Sequence, residues 1–398
     1  MEKHDFNQVL QPSPFHARVE AQNLVKSWMS WNGYQMARVF DTLASEYFAI
    51  RSSCSVMDMS AMEKYRITGP DALKFLNRLV VRDISKLKPG RVTYVVWCND
   101  EGRGLDDGTI FHLGDAGYRL CAQHHQLDWL LISSLGMDVT IEQETHAVAA
   151  LAVQGPTSFS VLTAAGFTGL HELKPFGILN TVLDGMEVMI SRTGFTGDLG
   201  YELWIDPAHA LKLWDAIFSV KERGLYDVRA IGLDALEMVR IEAGFIMPGD
   251  DFNTAESAVR ADHDRSPYEL GLGWVVNFDK PHFTGRRALQ KELTQPIRRQ
   301  LVKLSVEGNK PPTDSFLYDG KKGRRIGTIK RNIWSPILKA NLVMADIAYV
   351  NGAAPKEIWA EIYYQMELEW QVTWARCSVS DGPFWVHPRR SQTPPGGY

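Results

Sequence analysis

Apolar residues at Leu73, Leu76, Leu79 and Val80 follow the turn signal Thr68-Gly69-Pro70, a spacing that predicts a helix. Residues 91–97 are then β-branched or aromatic almost throughout and read as a strand. A polar loop from Cys98 to Asp107 separates this strand from two more, 108–113 and 118–122, so the pattern is a β-meander with one chemically rich loop. Residues 188–191 and 201–205 predict strands around a Gly-rich turn. Asp206-Pro207 then supplies an N-cap and a first-turn proline for a helix whose apolar stripe is Ala210, Leu213, Trp214, Ile217 and Phe218, ending before Gly224. A second helix is expected from about Gly232 to Glu242. After the polar stretch Gln290 to Arg299 the period shortens, with strands at 300–306, 325–330, 342–350, 358–364 and 370–378. Such spacing suggests a C-terminal β-barrel or sandwich. The expected division is an N-terminal α/β lobe over 1–145, a second α/β lobe over 146–295, a β-barrel over 296–390 and a loose tail over 391–398.

The 398 residues allow two or three domains, and 45% hydrophobic with 23% charged residues excludes a disordered or collagen-like chain. Lys plus Arg number 43 against 47 Asp plus Glu, a net charge of −4 that gives no basic footprint for nucleic acid. Cys54, Cys98, Cys121 and Cys377 are far apart, so neither a zinc nor a redox pair is implied, and they read as free thiols. Met1 to Gln11 lacks an apolar targeting core, and no run approaches the roughly 20 apolar residues of a membrane span. A cytoplasmic protein with no membrane partner is expected. Twelve Trp are the unusual count; Trp204 and Trp214 are assigned to the core.

Ser191 to Gly200 carries G-x-x-G-x-x-G, not the dinucleotide G-x-G-x-x-G, and a strand follows it where a phosphate site would need a helix N-terminus. A plain hairpin loop and a ligand loop both fit this spacing. Glu202 just beyond it is a carboxylate inside an apolar strand, which needs a partner such as the two-donor edge of a heterocycle. Asn99 to Gly108 holds four carboxylates but lacks the final Glu of a calcium loop. Asp106 and Asp107 fall where the next strand begins, and at least one is expected to face a pocket. The histidines, including His16 and His124-His125, form no metal motif, and Asp262-His263-Asp264 reads as a solvated loop. No metal site is expected. Trp28, Trp31, Tyr34 and Phe40 lie close together, as core or as a flat wall for a planar ligand.

Taken in order, nine segments resemble the folate-dependent aminomethyltransferase (glycine-cleavage T-protein) superfamily. They are residues 67–73, 89–94, 99–107, 153–156, 191–203, 240–243, 267–274, 283–285 and Ser335-Pro336. The resemblance implies an α+β fold: a three-lobed T-protein-like ring, with two α/β lobes and a C-terminal β-barrel around a central tetrahydrofolate channel. It places Glu202 on the pterin edge and Asp107 at the reacting N5 end. Tyr94, Met62, Thr109, Leu120, Phe195 and Phe245 match positions lining the folate, and Trp385 its C-terminal aromatic wall. Four departures stand out: Ser60-Ala61-Met62 for S-H-M, Leu236 for the first Arg before R-L-E-A, Met247-Pro248-Gly249 for Y-G-Q, and Arg331-Asn332-Ile333 for T-S-G.

These departures make the chain similar to the tetrahydrofolate-dependent demethylases, such as those for dimethylsulfoniopropionate or for vanillate- and dicamba-type aryl methyl ethers. The expected reaction moves a methyl from an aryl ether, a methoxybenzoate, to N5 of tetrahydrofolate, with Asp107 taking the N5 proton and Tyr94 or a nearby His protonating the leaving group. Trp28, Trp31, Tyr34, His16 and Trp97 are the expected donor walls. Alternatives are a dimethylsulfoniopropionate or N-methyl demethylase, a glycine-cleavage aminomethyltransferase, or a non-enzymatic folate binder. The last has a K-G-C-Y-x-G-Q-E signature that this chain lacks, and no room exists for the flavin domain of the oxidase relatives.

Overall fold

The first sheet is antiparallel and five-stranded, in the order Arg91–Cys98, Gly104–His112, Tyr118–Ala122, Glu63–Thr68, Thr140–Gln143. The computed structural model describes residues 9–260, 263–349, 352–392 and 394. Asp262, most of the 391–398 tail and the polar residues before Val9 lie outside the described residues.

Strand parity decides what each side chain of this sheet meets. Val95 and Trp97, with Ile110 and Leu120, face helices Ala72–Leu79 and Leu127–Ser133 and fill one core. Trp97 and Leu120 are fully buried there, and the Trp97 indole N–H donates to Gln126 Oε1 at 3.2 Å. Both expectations are corrected: Trp97 is not a donor wall and Leu120 does not line the folate. Trp97 lies an odd number of residues from Tyr94, and Leu120 pairs with Ile110 rather than with Thr109, so both point away from the channel.

The second sheet has six strands in the order Ile178–Leu183, Met186–Ser191, Gly200–Ile205, Ala149–Gln154, Cys54–Asp58, Val228–Ala230. Cys54–Asp58 therefore precedes the first sheet in the chain but sits inside the second. Helix Ala210–Glu222 packs Leu213, Trp214, Ile217 and Phe218 onto this sheet as its spacing predicts. Asp206 caps the preceding turn by accepting from the Ala208 N–H at 2.8 Å. Trp204 and Trp214 are both buried, as expected. Helices Leu43–Ser52 and Leu233–Glu242 pack together with Met57 and Ala152 of the sheet.

The C-terminal part is a closed six-stranded barrel in the order Arg299–Val306, Ala340–Ala348, Arg325–Ser335, Phe316–Tyr318, Ile358–Met366, Glu369–Ser380. The one strand not expected is Phe316–Tyr318, too short to show a period.

A buried polar hub ties these parts together. Arg51 donates to Glu242 Oε2 through Nε at 3.0 Å and Nη2 at 2.7 Å, and to the Thr196 carbonyl at 2.8 Å. The other Glu242 oxygen accepts from Tyr47 and from Ser335 of the barrel, each at 2.6 Å. Arg389 from the C-terminal segment grips Asp198 with two hydrogen bonds at 2.5 and 2.8 Å. Among the described residues no helix is long and apolar enough to cross a membrane.

Candidate active site

Asp107 and Tyr94 lie on neighbouring strands of the first sheet, Asp107 paired with Val96 and Tyr94 with Thr109. That register puts both side chains on the face opposite Trp97, and the Tyr94 hydroxyl donates to Asp107 Oδ2 at 2.5 Å. Gly108 is required beside them, because a Cβ there would meet the Cys121 carbonyl at 1.9 Å. Burial, then the charge of Asp106, pushes the Asp107 carboxyl up to about 7, against the lowering effect of the Tyr94 hydroxyl. Burial, then Asp107, pushes the Tyr94 phenol well above its ordinary range. Asp106 is buried and satisfied, accepting from the Asp107 N–H at 2.8 Å and the His124 N–H at 3.0 Å. Only one of the paired acids thus faces the site. Trp274 stacks on Tyr94 with centroids 6.2 Å apart, and Arg82 lies over Trp274 at 5.5 Å.

Glu202 forms the second pole. Its Oε2 accepts from Thr193 at 2.5 Å and from Ser191 at 3.3 Å. The Trp204 indole donates in turn to the Ser191 hydroxyl at 3.1 Å. Burial raises the Glu202 carboxyl to about 7, with the Thr193 and Ser191 hydroxyls acting the other way. Both hydroxyls converge on one oxygen; among the described residues Oε1 accepts no hydrogen bond, which leaves it for a ligand. The Gly-rich loop holds no phosphate cradle. It wraps the Gln154 amide, which donates to the Thr193 and Tyr201 carbonyls at 3.2 and 3.1 Å. A Cβ on Gly194 or Gly200 would meet that amide at 2.1 Å. The loop so held presents Phe195, stacked on Phe245 at 5.2 Å and 15°. Arg390 lies over Phe245 at 4.9 Å, and Trp385 covers Arg51 at 4.0 Å.

A buried carboxylate with one open oxygen is the group expected to pair with a donor edge such as the amidine-like edge of a pterin. Glu202→Gln is expected to raise the tetrahydrofolate Kd by about 10- to 100-fold, the size of a lost charge-assisted pair. Because the group binds ground and transition states alike, kcat at saturation stays within about threefold. Wild-type affinity should weaken as pH falls below 7, where Glu202 gains its proton, and that dependence should vanish in the variant; fluorescence titration across pH checks both.

The remaining expected residues divide. Met62 and Trp31 are half-buried and pack at the junction of the lobes beside Met59 and Trp204. Thr109 is half-buried on the Asp107 face. Tyr34 is buried, its hydroxyl paired with His146 Nδ1 at 2.5 Å. Trp28 packs on the second lobe's own core, with the His16 ring tilted against it at 5.3 Å. Trp28 and His16 are thereby corrected from donor wall to lobe packing, since the strand Ser27–Trp31 turns Trp28 toward Phe15 and Trp214. Sequence reasoning missed Trp274, although it closes the quoted run 267–274, and Asp251. Asp251 Oδ2 accepts from Arg240 and from the Met247 N–H at 2.7 Å, while its buried Oδ1 has no partner among the described residues. Its charge is one of the causes that raise the Asp107 carboxyl. Among the described residues no cluster of three metal-ligating side chains occurs.

Comparison with known proteins agrees with this frame. Residues 15–280 match the GCVT N-terminal domain family. An aminomethyltransferase of Halothermothrix orenii is 31% identical over 334 residues, covering 83% of this chain and 89% of its own. A trimethylamine-oxide aldolase of Ruegeria pomeroyi is 33% identical over 355 residues, covering 84% of this chain and 43% of its own. The crystal structure of the glycine cleavage system aminomethyltransferase T from Bartonella henselae superposes with a TM-score of 0.80 at 23% identity, covering 94% of this chain and 98% of that one, which supports the three-part fold. The chain belongs to the folate-dependent GCVT aminomethyltransferase family, whose one-carbon carrier is tetrahydrofolate.

Proposed function

We propose that the chain transfers a methyl group from an aryl methyl ether, a methoxybenzoate, to N5 of tetrahydrofolate. The observation that carries this reading is the Tyr94–Asp107 hydrogen bond of 2.5 Å, which joins a base to an acid across one reacting centre. As the C–N bond forms and the aryl O–CH3 bond breaks, Asp107 takes the proton leaving N5 and Tyr94 gives its proton to the departing phenoxide. Transfer along the Tyr94–Asp107 bond restores both groups, so no proton is gained or lost overall. Glu202 holds the folate, and the Tyr94–Trp274 stack supplies the aromatic wall for the donor.

A second reading, an N-methyl or aminomethyl donor, is favoured by the names of the relatives just described. Mass spectrometry of enzyme, tetrahydrofolate and a panel of O-, S- and N-methyl donors separates the two. Formation of 5-methyl-tetrahydrofolate with methoxybenzoates is the expected result. Turnover confined to sulfonium or N-methyl donors would overturn the aryl ether assignment, and methylene-tetrahydrofolate with ammonia would support the aminomethyl reading.

A further inference from the structure

A second cavity opens between residues 253–269 and the barrel, about 490 Å³ in volume and lined largely by cationic side chains. Its three acids are already engaged. Glu269 pairs with Arg103 at 2.8 Å, Asp264 lies 3.7 Å from the same guanidinium, and Asp346 is shared by Arg265 and Arg299, each at 2.6 Å. Lys330 and Arg325 have no carboxylate within 4 Å among the described residues. Arg325 lies over the Phe316 ring at 3.5 Å, and the Thr328 side chain lines the cavity between the two cations. All three come from one barrel strand, Arg325–Ser335. An excess of positive charge with a hydroxyl between is what an oxyanion needs, and a carboxylate fits the hydrogen-bonding fork of an Arg.

A smaller cavity shares His263, Arg265 and Lys330 with this one and is lined also by Asp251 and Phe252. The larger cavity's floor is pinned to the strand carrying Asp107, since the Gly104 N–H donates to the Arg265 carbonyl and the Ala255 N–H to the Gly104 carbonyl, both at 2.8 Å. Asp107 is three residues along that strand from Gly104, about 10 Å at strand rise, so the cavity's floor lies near the residues proposed to react.

We propose that this cleft is the anion-binding half of the donor site, and that Lys330 and Arg325, with Thr328, hold the carboxylate of the methyl donor. The proposal rests on the aryl ether reading for the donor's identity; the cleft's preference for a carboxylate is tested independently. Benzoate, which carries no methyl to transfer, is the binding probe. Calorimetric titration is expected to show saturable binding to the wild-type chain, weakened at least tenfold by Lys330→Ala and by Arg325→Ala. Tetrahydrofolate affinity should be unchanged in both. With a methoxybenzoate, Lys330→Ala should raise KM while leaving kcat close to the wild-type value, as for a group that only positions the donor.

Benzoate binding unaffected by both substitutions would overturn the cleft, even if methoxybenzoates prove to be donors. Inorganic phosphate binding more tightly than benzoate would overturn the carboxylate assignment. If Lys330→Ala weakens pentaglutamyl-tetrahydrofolate but not benzoate, the cleft takes the carboxylate tail of the folate and the donor role is overturned. Lys330-dependent benzoate binding without methyl transfer from any methoxybenzoate would support the cleft and reject the aryl ether reading.

Discussion

Asp107→Asn should lower kcat for one-carbon transfer by about 10²- to 10⁴-fold, the usual worth of a positioned general base. The substitution keeps the size of the side chain and its hydrogen bond to Tyr94 but removes the carboxylate proposed to take the N5 proton. The tetrahydrofolate Kd should change little, because Glu202 at the other pole is the proposed folate contact. The pH profile is the sharper readout. With the Asp107 carboxyl near 7, wild-type kcat should rise with pH through neutrality as the base form fills, and that limb should disappear in the variant. Linkage gives a second consequence in the unliganded protein. A carboxyl raised on folding contributes stability that is fully present below its unfolded pKa near 4 and is lost as pH rises through about 7. Thermal unfolding should therefore be less pH-dependent over that window in Asp107→Asn. Near wild-type turnover would remove Asp107 from the chemistry.

The second large effect falls on stability. Arg51→Met leaves Glu242 buried with only the Tyr47 and Ser335 hydroxyls, and breaking a buried pair on one side costs about 3–5 kcal/mol. Replacing both partners, as in Arg51→Met with Glu242→Leu, should recover more than half of that loss, because no uncompensated charge remains. Denaturant titration of the two variants measures the difference. Trp385 lies over Arg51, and its N–H donates to the Glu242 carbonyl at 2.9 Å. Arg51→Met should therefore also speed proteolysis in the segment 385–392, a change that general destabilisation alone would not confine there. If the double variant is as unstable as the single, the charge argument fails.

Much of the architecture was legible because it is local. The helix after Asp206-Pro207 and the barrel strands follow from periodicity and turn residues whose partners lie nearby in the chain. Glu202 was visible as an acid placed in an apolar strand, and Asp106 and Asp107 as paired acids where a strand begins. Trp97 and Leu120 were misplaced because composition and motif order do not state parity: one residue along a strand exchanges channel for core. The glycines of the 194–200 loop announced a special backbone, but the Gln154 amide that they admit comes from a different strand. Lys330 carried no signal at all. A half-buried cation on a barrel strand becomes distinctive only when the acids across the cleft prove to be engaged elsewhere.

The placement of Cys54–Asp58 in the second sheet bears on how the chain is made. The strands of the first sheet, 63–143, are contiguous and can pair as soon as they leave the ribosome. Cys54–Asp58 emerges earlier but must wait for Ala149–Gln154 on one edge and Val228–Ala230 on the other. At roughly 5–20 residues per second, the wait for the second edge is on the order of 10–30 s. Through that interval a wholly buried native strand is an unpaired nascent edge, open to non-native pairing. Slower translation between residues 60 and 230 would lengthen this exposure, so the yield of folded chain should depend on the speed of synthesis there more than in the barrel.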